Sequence, residues 1–82
     1  MNVMITDRDE SINYIEMTCG KKTVSVVKYN YGQVKVVVLC NTSFRTNQLG
    51  YGKMFSNFQQ AIDNYKSKEV KAILEAAKVE LN

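Results

Sequence analysis

Between Lys22 and Cys40 apolar residues recur at every second position, and Val, Tyr and Thr crowd the stretch TVSVVKYNYGQVKVVVLC. Alternation with this residue bias is the mark of extended backbone with one face turned inward. Tyr31-Gly32 interrupts the pattern where a turn is needed, so the stretch reads as a β-hairpin to which the flanking segments are added.

Turn geometry then sets the register. Ile12 to Cys19 alternates as well, and Gly20-Lys21 suits a two-residue turn that pairs Cys19 with Lys22, Met17 with Val24 and Ile15 with Val26. At the second turn, a two-residue loop would set Lys28 against Lys35, a like-charge pair that costs stability. A three-residue loop, Asn30-Tyr31-Gly32 with Gly32 left-handed, instead pairs Val26 with Val36 and Val24 with Val38. It also collects Ile15, Met17, Val24, Val26, Val34, Val36 and Val38 on one face, which decides for this register. The opposite face carries Tyr14, Glu16, Thr18, Thr23, Ser25, Val27, Tyr29, Lys35, Val37 and Leu39, a mixed surface. Strands are therefore expected at about 12–19, 22–30 and 33–40. Val3 to Thr6 is a candidate edge strand, and Asp7 to Ser11 a polar turn.

Residues 41–54 form a polar connection. Its length marks it as functional or as hiding a fourth strand. From Ser56 the period becomes helical, with Ser56 as N-cap and Gln59 completing a capping box. Phe58, Ile62 and Tyr65 make one apolar stripe, and Val70, Ile73, Leu74, Ala77 and Leu81 make a second, out of phase with the first. A break at Lys66-Ser67-Lys68 resolves the mismatch, giving helices at about 57–66 and 68–80. The expected fold is α+β: one domain over 1–82, an antiparallel meander of three or four strands, with C-terminal helices on its all-apolar face.

Composition narrows the chemistry. There is no His, which removes the commonest general base and the commonest metal ligand. Cys19 and Cys40 both stand opposite Lys22 on the outer strands, roughly 9–10 Å apart. That exceeds the reach of a disulfide, about 7 Å, so both are expected as buried free thiols, and two cysteines do not make a zinc site. Gly50-Tyr51-Gly52-Lys53 lacks the phosphate-loop pattern, which needs Gly at Asn47 and Ser or Thr at Met54. The acids at Asp7, Asp9 and Glu10 form a solvated cluster, and Glu16 has no partner carboxylate in this register. Neither catalysis nor a cofactor is expected. The N-terminus has neither a basic start nor an apolar run, and no window is apolar enough to span a membrane, so a cytoplasmic protein without membrane contact is expected.

Charge is unevenly spread. Asp7, Asp9, Glu10 and Glu16 outweigh Arg8 in the first sixteen residues, whereas Met17 to Ile62 contains Lys21, Lys22, Lys28, Lys35, Arg45 and Lys53 and no acid. Such a run points to a partner bearing negative charge. Interleaved aromatics sharpen this toward single-stranded nucleic acid, since bases stack on aromatic faces while Lys and Arg neutralise phosphates. The expected binding residues are Tyr14, Lys21, Lys22, Tyr29, Tyr31 and Lys35 on the sheet, with Phe44, Arg45, Tyr51 and Lys53 in the following loop. The plainer reading is that Tyr favours strands and Lys guards sheet edges. Val37 and Leu39, apolar on the mixed face, suggest a second use for it: a homodimer or docking onto another protein, such as a small phage-type inhibitor or an adaptor would make.

The tail from Gly50 to Lys78, with G-Y-G-K-M-F, A-I-D-N-Y-K-S and E-V-K-A-I-L-E-A-A, resembles the endings of small uncharacterised proteins carried by phages and mobile elements. The resemblance covers about the last third of the chain and implies no catalytic residue. At the level of fold, strands followed by a helical end are similar to Whirly-type and coactivator-type single-strand binders. That likeness is of fold alone, and fold does not fix function.

Overall fold

A computed structural model describes residues 2–40 and 52–81. The expectations for Phe44, Arg45 and Tyr51, for most of the 41–54 connection and for the Cys40 side chain lie outside the described residues. The fold is α+β, a five-stranded antiparallel sheet in the sequential order of a meander, with two C-terminal helices. The strands are β1 (Met4–Asp9), β2 (Tyr14–Cys19), β3 (Lys22–Lys28), β4 (Val34–Cys40) and β5 (Lys53–Phe55). A 3-10 turn, Glu10–Ile12, joins the first two, and helices α1 (Phe58–Asn64) and α2 (Lys68–Glu80) follow the sheet.

The two central hairpins have the register that turn chemistry dictates. Cys19 pairs with Lys22 across Gly20-Lys21, and Gly20 has φ +60°, as the first position of a II′ turn requires. Val26 pairs with Val36 and Val24 with Val38. The Tyr29 N–H donates to the Gln33 carbonyl at 2.8 Å, and the Gly32 N–H donates to the Tyr29 carbonyl at 3.1 Å. Gly32 closes that loop at φ +85°.

Two edges extend the sheet beyond the alternation. Asp7 to Asp9 is strand rather than turn, and pairs with β2 after an irregularity between Ile5 and Asp7. Thr6, the extra residue there, donates its hydroxyl to the Glu16 carboxylate at 2.8 Å. On the other edge Phe55 pairs with Val34, and Lys53 with Val36. Gly52, entering β5, lies so close to β4 that a Cβ would stand 2.6 Å from Lys35 Cε and 2.8 Å from Val37 Cγ2.

The helices cover the all-apolar face, α2 against β2 and β3, and α1 against β4 and β5. Ile15, Met17, Cys19, Val24, Val26, Val34, Val36 and Phe55 meet Phe58, Ala61, Ile62, Val70, Ile73, Leu74 and Ala77 in one cluster. Full burial of a Leu or Ile is worth about 1.5–3 kcal/mol, so this layer holds the fold together. Its packing sets the phase break. Asn57, not Ser56, caps α1, its side chain accepting from the Gln60 N–H at 2.9 Å, while Gln60 reaches back to the Ser56 N–H at 3.1 Å. Ser67 caps α2, accepting from the Val70 N–H.

Candidate nucleic-acid interface

The described residues expected to form one binding surface separate into four places, the helix side at Lys53 being one. Tyr14 and Lys35 lie on the sheet face away from the helices. Lys21 and Lys22 sit at the β2–β3 turn, and Tyr29 and Tyr31 at the β3–β4 turn. Strand β3 runs between the two turns, and its seven residues set them about 20 Å apart.

The Tyr14 region is electrostatically wrong for phosphate. Asp7 stands directly opposite Glu16, and Asp9 opposite Tyr14 itself. The expectation that Glu16 lacks a neighbouring carboxylate is thereby corrected, because β1 pairs through Asp9 instead of turning away at Asp7. Tyr14 is half-buried, with its hydroxyl 3.4 Å from Ser25 Oγ and 3.5 Å from Glu16 Oε2. Burial first, and the negative charges of Glu16 and Asp7 after it, push its pKa above the ordinary tyrosine value, despite an opposing contribution from Ser25.

Val37 and Leu39, expected to lie open on the mixed face, are 4% and 6% exposed, and Thr23 and Ser25 beside them are buried. The mixed face therefore offers no exposed apolar patch at these residues. Lys35 is half-buried beneath Gly52. Lys53 is turned to the helix side, where its ammonium donates to Asn64 Oδ1 at 3.3 Å and lies 5.7 Å from the centre of the Phe55 ring.

The β3–β4 end presents a different arrangement. Tyr31 is 93% exposed at the tip of the loop, and Tyr29 is 42% exposed beside it. A cleft of about 450 Å³ opens next to Tyr29, lined by Ser11, Ile12, Asn13, Val27, Lys28 and Asn30. Asn13 holds the left-handed conformation there, at φ +52°, which turns the chain out of the 3-10 segment into β2. Its carbonyl accepts the Lys28 N–H at 3.0 Å, joining the two cleft walls. Around the turn, on the helix side, a second cleft of about 270 Å³ lies between Lys28, Gly32, Asn57, Phe58, Gln59 and Lys78. Lys28 lines both.

Among the described residues the only ion pairs belong to Arg8, which reaches Glu80 at 2.7 Å and Glu10 at 4.0 Å. Its guanidinium thus holds Glu80 and Glu10, Asp9 Oδ1 accepts from the Ser11 N–H and hydroxyl beside the larger cleft, and the Lys28 and Lys78 ammonium groups have no acidic partner among the described residues. Ile12, Lys28 and Lys78 are not among the expected binding residues. Ile12 reads as the start of a strand, Lys28 only as part of the acid-free run, and Lys78 only as part of the C-terminal helix. The one available signal is that Lys78 follows Ala77 at the rim of the buried stripe.

Among the described residues no group of His, Cys, Asp or Glu is disposed to hold a metal ion, and no helix is long and apolar enough to cross a membrane. Comparison with family models, with curated proteins and with solved structures gives no match, so the site's own chemistry has to carry the functional reading.

Proposed function

We propose that the protein binds single-stranded nucleic acid, without catalysing a reaction, through the β3–β4 end of its sheet. The observation that carries this reading is the coincidence, at one end, of two exposed tyrosines with lysines that have no acidic partner among the described residues. Stacking on an aromatic face tolerates any base, and unmatched lysines supply phosphate neutralisation. The Tyr29–Gln33 and Gly32–Tyr29 hydrogen bonds hold the Tyr31 loop in one shape, so little ordering accompanies binding.

Fluorescence anisotropy with labelled single-stranded DNA, single-stranded RNA and duplex DNA at two salt concentrations tests the reading. The expected result is binding to a single-stranded probe that weakens steeply with salt. Equal affinity at both salts, or preference for duplex, counts against it. A second reading, docking of another protein, rests on β1, an exposed edge strand that carries Met4 and Ile5 in solvent. Pull-down of a partner lost on changing Ile5 to Lys would favour it.

A further inference from the structure

The reading just given leaves the helix-side cleft without a role. We infer that this cleft, between Lys28 and Lys78, is a phosphate subsite, so that a bound strand passes from the Tyr29 cleft around the turn onto the helices. The inference rests on the nucleic-acid reading and assigns a task to Lys78, a helix residue.

Three features support it. The two lysines come from separate elements, β3 and α2, and line one opening with neither side chain engaged in an ion pair or hydrogen bond among the described residues. The remaining walls are Asn57, Gln59, Gly32 and the largely buried ring of Phe58. Asn57 spends its side-chain carbonyl on the Gln60 N–H, which leaves its amide as a donor, and Gly32 has open space where a side chain would stand. Finally, Lys28 belongs to both clefts, so the two are contiguous. The larger has apolar walls in Ile12, Val27 and Tyr29 with the amides of Asn13 and Asn30 near them, suited to a base. The smaller has cations and no carboxylate in its lining, suited to the phosphate that follows. A phosphodiester and a free phosphate share this chemistry.

The test compares the intact chain with Lys78→Gln and Lys66→Gln, using a labelled oligothymidylate. Lys66 is exposed and twelve positions from Lys78, so its substitution removes the same charge from elsewhere. Lys78→Gln is expected to weaken binding up to about fivefold, as loss of one exposed charge contact does. It should also lower the slope of log affinity against log salt by about one. Lys66→Gln should leave both unchanged. If the two variants behave alike, the subsite is overturned and the proposed function stands. If the intact chain binds no oligothymidylate, both fall. Inorganic phosphate that moves the Lys28 and Lys78 side-chain resonances while no strand binds would assign the cleft to a free anion and overturn the strand path.

Discussion

The two hairpin turns at opposite ends of the sheet look equivalent in the sequence and differ in the folded molecule. Each has a left-handed glycine, Gly20 or Gly32, and each carries lysine. At the β2–β3 turn, however, the first turn of α2 comes near. A Cβ on Gly20 would lie 3.7 Å from Glu69 Cγ, and the Glu69 carboxyl, lowered chiefly by its own backbone N–H and the Ser67 hydroxyl, is lowered further by the charge of Lys22. An acid thus stands near that turn, although neither Lys21 nor Lys22 forms an ion pair among the described residues. At the β3–β4 turn Glu10 and Glu80 are held by Arg8 and Asp9 by Ser11, and the exposed residues are tyrosines. A lysine signals a partner outside the chain only where the fold has not already supplied one within it.

The comparison can be broken most forcefully through α2, which reaches both turns. Leu74 is fully buried beneath it. Leu74→Ala is expected to cost about 2–5 kcal/mol and to disorder both ends together, as read by urea denaturation. Next in size is Tyr31→Ala, expected to weaken single-strand binding by about 1–3 kcal/mol while leaving the denaturation midpoint unmoved. Replacing Lys21 and Lys22 together by Gln should change that affinity far less; an equal loss would show the two ends to be alike after all. Gly32→Ala meets no atom within 4 Å, so its cost is that of the left-handed backbone alone, about 1 kcal/mol, seen as a lower midpoint.

The smallest effect concerns pH. Glu69 is lowered chiefly by its own backbone N–H and then by the Ser67 hydroxyl, which bonds it at 3.0 Å. A depressed carboxyl stabilises the fold above its unfolded pKa, and that contribution is lost as pH falls through the folded value. Glu69→Gln should therefore flatten the acid limb of stability slightly. Tyr65, raised by burial, acts at the other extreme, its contribution fading as pH climbs past 10.

The hairpin registers were legible because each depends on a turn and the few residues beside it. Strand β1 was legible only in its first half, Val3 to Thr6, since the irregularity at Thr6 spoils the alternation and Asp7 to Ser11 reads as a polar turn. Strand β5 has three residues, too few to show a period. The cap of α1 moved by one position because Asn57 and Ser56 are both good caps and packing of Phe58 chose between them. The site was only half legible. Tyr29 and Tyr31 are among the expected residues and lie at the proposed end, but the expectation left out Lys28 and grouped residues that the fold sets far apart. Which acids stand near the sheet depends on Glu69 and Glu80, far along the sequence from the strands they approach.

The sequential strand order carries a consequence in time. Each strand pairs with its immediate predecessor, so the sheet can assemble edgewise as the chain leaves the ribosome. Its apolar face stays bare until Phe58 to Ala77 have been made, and the clasp from Arg8 to Glu80, spanning 72 positions, closes after that. The nascent chain therefore passes through an interval with a finished sheet and no cover, the stage at which small β-rich proteins stick to one another and to chaperones. Slowing synthesis ahead of α1 would lengthen that interval; supplying the helices in trans would close it.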